Sequence, residues 1–300
     1  MWQQLLRQIQ EGDIKALARV ISLVENEHED YEELLLHLPV NPHTKIIGIT
    51  GPPGAGKSTL TDGLIGELVK NEKKVAVLCV DPSSPFNRGA VLGDRIRMNQ
   101  WYTHPNVFIR SLASRGSMGG LHPKIIEITE LVKAGNFDYI ILETVGVGQS
   151  EIEIAGLADS TVVVVVPESG DEIQTMKAGL MEIADIFVVN KADRPDADAF
   201  VRNLRTMLAT TFGTHKNEVP ILTTIASENK GLTELKEAIE NYLKEENFNE
   251  KKLWLYSEKV CLLIQQERMK NIDKPAIQAA VAAKIKEGNF NLYQLARQLN

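Results

Sequence analysis

Cysteine, net positive charge and long apolar runs are all scarce in this chain, and each shortage narrows what it can do. Two cysteines occur in 300 residues. Cys79 sits inside an apolar strand pattern and Cys261 inside an apolar helical one, and neither belongs to a CxxC pair. Both are expected to be buried thiols of a cytosolic protein. The formal net charge of −7 speaks against a protein that neutralises phosphates along a nucleic acid, so no nucleic-acid partner is expected. The first residues, "MWQQLLRQIQEGDIKAL", lack the basic start and apolar stretch of a signal peptide. No apolar run reaches the ~18 residues that a membrane span needs. The expected location is the cytoplasm, with no membrane partner. There are six histidines, at positions 28, 37, 43, 104, 122 and 215, and they form neither a tract nor a metal-spaced pair. No internal repeat or low-complexity tract interrupts the chain.

What is present is a change of rhythm. Over residues 1–40, apolar positions recur at helical spacing (Leu5, Leu6, Ile9, then Ile14, Leu17, Ala18, Ile21), with Gly12 and Asp13 as a break and an N-cap. This predicts a small N-terminal helical extension that ends at "PVNPH", where two prolines exclude helix. From Lys45 onward, short β-branched runs ("KIIGIT", "KVAVLCV", "NVFIRSL", "DYIILET", "STVVVVVP", "DIFVVN", "VPILTTI") alternate with helical patterns. Most of these runs are continuously apolar, as strands covered by helices on both faces are. The expected fold is α/β, a mainly parallel, doubly wound sheet over residues 41–245 with its ligand at the carboxyl ends of the strands. The charged "KEENFNEKK", residues 244–252, follows as a linker or helix extension, and residues 246–300 form a C-terminal helical dimerisation arm. That arm has too little core to stand alone and should pack on the sheet domain or on another subunit.

The chemistry starts at "GPPGAGKST": Gly51, Pro52, Pro53, Gly54, Ala55, Gly56, Lys57, Ser58 and Thr59. The stretch fits G-x-x-x-x-G-K-[ST] between a strand and a helix, the context of a P-loop. Backbone N–H groups wrap the phosphates, the helix N-terminus adds its positive end, Lys57 reaches the β/γ-phosphates and Ser58 can ligate Mg²⁺. "NKAD", Asn190, Lys191, Ala192 and Asp193, closes another strand at the same sheet edge. A carboxylate there accepts from the N1 and 2-amino groups of guanine, which adenine does not offer, so Asp193 selects GTP against ATP. After the next strand, the Ala226 backbone N–H in "IASENKG" is a donor suited to the guanine oxygen. Asp81 closes a strand beside the P-loop, where a carboxylate can hold Mg²⁺ or its waters, and Asp94 lies in a segment able to order around the γ-phosphate. Either acid taken alone also fits a turn or an N-cap. Glu143 and Gly146 in "ETVGVGQS" end a buried strand beside the P-loop. There Glu143 can hold Mg²⁺ through water or order the attacking water, and the Gly146 N–H can reach the γ-phosphate. Val147 stands where Ras-like enzymes carry the water-orienting glutamine, and Gln149 comes later, as expected of a slow switch.

"VDPSSP", "GAVLGDRIRM", "ETVGVGQSE", "QTMKAGLMEIADIFVVNKAD" and "ALARVISLVEN" together resemble the MeaB/ArgK type of P-loop GTPase. These proteins are chaperones of adenosylcobalamin-dependent acyl-CoA mutases of the methylmalonyl-CoA mutase type. The resemblance spans nearly the whole chain. It implies a homodimer joined through the C-terminal helices, slow GTP hydrolysis with Mg²⁺, and gating of cofactor delivery to the mutase, with adenosylcobalamin met only through that partner. It further implies Lys57, Asp94 and Glu143 as catalytic residues, Ser58, Asp81, Asp94 and Glu143 on the metal side, and Glu143 with Gly146 as the second switch. Gln174 and Lys177 fall in the segment resembling the third switch, which relays nucleotide state to the partner. In "PESGDEIQTMKAG", Glu168 and Ser169 replace the usual glycine-rich start. Two other readings compete: a nickel-inserting GTPase, against which the histidine distribution argues, and a P-loop kinase or ATPase linked to arginine/ornithine transport, against which Asp193 argues.

Overall fold

The computed structural model describes residues 2–81, 98–113, 122–144, 150–169, 178–212, 219–245, 249–270 and 272–299. The chain divides into two compact units, Met1–Leu253 and Trp254–Asn300. In the first unit, three helices open the chain: α1 (Trp2–Gln10), α2 (Ile14–Glu25) and α3 (Tyr31–Leu36). Asp13 caps α2 by accepting from the Lys15 and Ala16 backbone N–H groups. A seven-stranded sheet follows, from β1 (Lys45–Thr50), β2 (Val75–Asp81), β3 (Val107–Ala113), β4 (Tyr139–Glu143), β5 (Ser160–Val165), β6 (Ile186–Asn190) and β7 (Ile221–Thr224). The spatial order is β3-β2-β4-β1-β5-β6-β7, and every pair is parallel. The carboxyl ends of all seven strands therefore meet at one edge.

The continuous apolar runs sit where they were expected, with β5 and β6 buried along their whole lengths. Alternate residues feed opposite layers. Ile186 and Val188 pack with Leu60 and Leu64 of α4 (Lys57–Lys70) and with Leu235 and Ile239 of a later helix. Phe187 and Val189 pack with Phe200 and Leu204 on the other face. Connecting helices supply both layers: α5 (Ile125–Lys133), α6 (Ser150–Leu157), α7 (Ala178–Ile183), α8 (Ala197–Phe212) and α9 (Leu232–Lys244). At Gly48 an added Cβ would lie 2.6 Å from Ile154 Cγ2 and 3.1 Å from Ala158 Cβ, so glycine lets α6 lie directly on β1.

The N-terminal helices are fastened to the rest of the first unit by charge as well as by apolar packing. Glu25 pairs with Arg110 of β3, and the Lys124 ammonium donates to Tyr31 Oη at 2.8 Å and pairs with Glu27 at 2.9 Å. Cys79 is buried as expected, but Cys261 is exposed, which corrects the sequence-based expectation. Its helix, α10 (Glu250–Met269), also exposes Trp254, Val260, Leu262, Leu263 and Ile264. An apolar pattern there does not signal burial within this chain. The second unit continues with α11 (Lys274–Lys286), which stops at Gly288 with φ 70°, and α12 (Leu292–Leu299). Among the described residues no helix is long and apolar enough to cross a membrane.

Candidate active site

Close approach dictates two glycines of the loop after β1, Gly51 and Gly56. Gly51 has φ 138°, and a Cβ there would lie 2.0 Å from the Val164 carbonyl oxygen of β5. Any side chain would push the loop off the sheet. Gly56, φ 88°, caps α4 in a left-handed conformation, and a Cβ on it would stand 2.4 Å from Asn190 Nδ2. A left-handed turn at a helix start gathers backbone N–H groups into a concavity that suits an anion, and the helix dipole adds to it.

Two polar side chains from the first turn of α4 are buried at this loop. Lys57 Nζ donates to the Gly51 carbonyl at 2.7 Å and to the Pro52 carbonyl at 3.0 Å. Its ammonium is thus folded over the loop that a phosphate would occupy. Ser58 Oγ donates to Glu143 Oε1 at 2.5 Å. The strand order places Glu143 there, because β4 lies next to β1. A hydroxyl and a carboxylate oxygen in contact are hard donors of the kind Mg²⁺ takes, so these residues fit the metal. Glu143 is steadied by its neighbour: Thr144 Oγ1 donates to Thr50 Oγ1 at 3.0 Å and the Thr144 N–H to the Ile49 carbonyl at 3.1 Å. The ends of β4 and β1 are thereby locked together.

On the other side of the loop, Asn190 acts as a tie rather than as a surface group. It is buried, its Nδ2 donates to the Ala55 carbonyl at 2.9 Å, and its Oδ1 accepts from Thr224 Oγ1 at 3.0 Å and the Ala226 N–H at 3.1 Å. Lys191, in a left-handed conformation with φ 56°, donates from Nζ to the Gly54 carbonyl at 2.8 Å. The chain after β6 thus grips the P-loop twice. Asp193 is exposed beyond that grip, close enough to contribute to the raised pKa of Lys230, whose main cause is the hydrogen bond to Glu228.

The structure thus brings Gly51, Pro52, Pro53, Gly54, Ala55, Gly56, Lys57, Ser58, Thr59, Glu143, Asn190, Lys191, Asp193 and Ala226 to one edge of the sheet. Asp81 closes β2 at the same edge. The Ala226 N–H, read from sequence as a donor to a base, here serves Asn190. Asp94, Gly146, Gln149, Gln174 and Lys177 lie outside the described residues. Sequence reasoning passed over Thr50, Thr144 and Thr224. Each is a threonine at or just past the end of an apolar strand, a position where a buried hydroxyl needs a partner, and that was the available signal.

The chain matches the family described as methylmalonyl Co-A mutase-associated GTPase MeaB over residues 17–273. A Pyrococcus abyssi (strain GE5 / Orsay) protein named as a GTPase is 45% identical over 97% of this chain and 89% of its own length. The Caenorhabditis elegans protein named methylmalonic aciduria type A homolog, mitochondrial, is 37% identical over 64% of this chain and 52% of its own length. Among solved structures, that of LAO/AO transport system kinase superposes with a TM-score of 0.67 at 26% identity, covering 99% of this chain and 96% of the other.

Proposed function

We propose that this chain, which belongs to the MeaB family of methylmalonyl Co-A mutase-associated GTPases, uses its nucleotide cycle to serve an adenosylcobalamin-dependent acyl-CoA mutase as a chaperone. The chain is a P-loop GTPase. The observation that supports a guanine-nucleotide switch best is the Asn190 tie, which joins the phosphate loop at Ala55 to the base-side loop at Thr224 and Ala226. One side chain thus links the phosphate and base ends of the site.

In this reading, Lys57 exchanges its loop carbonyls for β/γ-phosphate oxygens and Asp193 accepts from the guanine N1 and 2-amino groups. Ser58 and Glu143, with Asp81 and Asp94, would hold Mg²⁺, which neutralises charge on the transferred phosphoryl group. Glu143, fixed by the Thr144–Thr50 bond, also stands where it can orient the attacking water. Gly146 donates to the γ-phosphate, so hydrolysis releases its segment, and Gln174 and Lys177 pass that change to the mutase. Adenosylcobalamin belongs to the partner in this scheme. A second copy of this chain is the proposed cover for Trp254, Leu262, Leu263 and Leu292, large apolar side chains exposed in the second unit.

The test is capture of partners by the full chain from native extract, with GDP and with a nonhydrolysable GTP analogue. Nucleotide-dependent recovery of a cobalamin enzyme is the expected result. Recovery of no cobalamin enzyme in either state overturns the partner assignment and leaves the GTPase assignment standing.

A further inference from the structure

Ser58, Asp62 and Gly66 recur at every fourth position of α4, which puts them in one stripe along the P-loop helix. The first of them holds Glu143. The other two form a seat for a distant piece of chain. Asp62 Oδ1 accepts from Trp101 Nε1 at 2.7 Å, and the same carboxylate accepts from Gln100 Nε2 at 3.2 and 3.1 Å. At Gly66 an added Cβ would stand 3.6 Å from Trp101 Cζ2 and 3.8 Å from Cη2, so the indole rests beside a position that carries no side chain.

The piece of chain that lands here is itself firmly built. Met98 is fully buried in the core cluster that includes Leu60 and Leu64 of α4. Residues Asn99–Trp101 form a 3₁₀ turn, and the His104 ring meets the Trp101 ring edge-on at 5.7 Å. The inner face of α4 is held by the sheet, whereas this clamp holds its half-exposed side one turn beyond Ser58. A hydroxyl that must point at Glu143 depends on how the helix is rolled about its axis, and a clamp one turn away fixes that roll.

We infer that Asp62 is a positioning residue for GTP hydrolysis, holding Ser58 towards Glu143 by clamping Trp101 and Gln100 to the P-loop helix. The inference rests on the reading of Ser58 and Glu143 as the metal-side pair. Asp62 lies one turn of α4 beyond Ser58, and the effect passes between them along that turn.

The test uses the full chain and compares Asp62→Ala, Asp62→Asn, Trp101→Phe and the double variant Asp62→Ala/Trp101→Phe. GTP hydrolysis is measured against both GTP and Mg²⁺ concentration, alongside GDP affinity in EDTA and thermal melting. A misplacement near 1 Å can cost up to about 100-fold in rate, so Asp62→Ala is expected to lose about tenfold in kcat and to need several-fold more Mg²⁺. KM for GTP and GDP affinity should stay near those of the wild type. Asp62→Asn keeps an oxygen that can accept from the indole N–H and should recover most of the loss. Trp101→Phe should move Mg²⁺ dependence in the same direction as Asp62→Ala. The double variant should be no worse than Asp62→Ala, because the two changes break one contact. A purely structural residue would lower activity equally at every Mg²⁺ concentration, in step with the melting temperature, and that outcome overturns the inference. So does a folded Asp62→Ala whose kcat and Mg²⁺ response match the wild type. A wild-type chain that hydrolyses no GTP at any Mg²⁺ concentration overturns the underlying functional reading instead, and the role of Asp62 falls with it.

Discussion

Asn190 and Ala55 are joined by one hydrogen bond, from Nδ2 to the carbonyl at 2.9 Å, that crosses from the end of β6 into the phosphate loop. With the two bonds accepted by Oδ1, this side chain fixes three backbone segments at once. Replacing it by alanine leaves the Ala226 N–H, the Thr224 hydroxyl and the Ala55 carbonyl to find other partners. A buried group left unsatisfied costs about 1–3 kcal/mol. Asn190→Ala should therefore lower stability in a urea melt even without nucleotide, as well as weaken GDP and GTP binding. A variant with weak binding and unchanged stability would count against the tie.

Asp193 tests the base assignment separately, because it is exposed. Hydrogen bonds to a charged acceptor contribute about 1.5–3 kcal/mol, so Asp193→Asn should weaken GTP binding ~10–100-fold. It should also shift preference towards xanthosine nucleotides, whose 2-oxo group accepts from the new amide. Unchanged GTP affinity in a titration would reject guanine recognition at this residue.

The sheet and the P-loop were legible in sequence because each has a local cause. Runs such as "STVVVVVP" can be buried on both faces only as central strands, and the glycine spacing of "GPPGAGKST" has few other uses. The place of Asp193 at the sheet edge was readable for a similar reason, since a motif at a strand end has a known edge. Threonine pairing was not readable, because Thr50 and Thr144 lie 94 residues apart and only the placement of β4 beside β1 brings them together. The same holds for Asp62 and Trp101. Cys261 was misread because an apolar helix pattern shows that a face will be covered, not by what.

Glu143 is expected to show a conflict between function and stability. A carboxylate that is 5% exposed pays a desolvation cost. Glutamine keeps an oxygen for the Ser58 hydroxyl and removes the charge. Glu143→Gln should melt at or above the wild-type temperature yet lose about 100-fold or more in kcat, the size of effect seen when one preorganised electrostatic group is removed. Lys57→Ala should abolish hydrolysis at saturating GTP. An active Lys57 variant would count against the phosphate site, and a fully active Glu143→Gln against the metal-side assignment.

Gly51 offers a test of the loop that depends on no ligand. At φ 138°, with Val164 O 2.0 Å from an added Cβ, alanine must displace backbone rather than a flexible side chain. Strained backbone of this kind costs on the order of 1–3 kcal/mol before any clash is counted. Gly54, at φ 80°, carries a backbone penalty of the same kind, but an added Cβ there meets nothing within 4 Å, so the clash with Val164 should make Gly51→Ala lower the midpoint of urea unfolding more than Gly54→Ala. Equal midpoints for the two variants would show that the close approach to β5 is not limiting.

Lys124 makes the attachment of the N-terminal helices sensitive to pH at the alkaline end. Burial alone pulls its pKa down, but the hydrogen bonds to Tyr31 and Glu27 and the charge of Glu127 outweigh this and raise it to about 12, from 10.5. A group whose pKa is higher folded than unfolded stabilises the fold fully below the unfolded value and loses that contribution as pH rises through the folded one. The stability that Lys124 contributes should accordingly be flat at neutral pH and decline between 10.5 and about 12. Lys124→Met removes the proton along with the ion pair, so the difference in unfolding free energy between wild type and variant should be constant around neutrality and shrink across that alkaline window. Tyr31→Phe keeps the ring beneath the ammonium, 4.9 Å from its centroid, but loses the hydroxyl, so it should narrow the window from above without abolishing it. A wild-type-minus-variant difference that stays constant through pH 12 would mean that Lys124 does not hold its proton through these contacts.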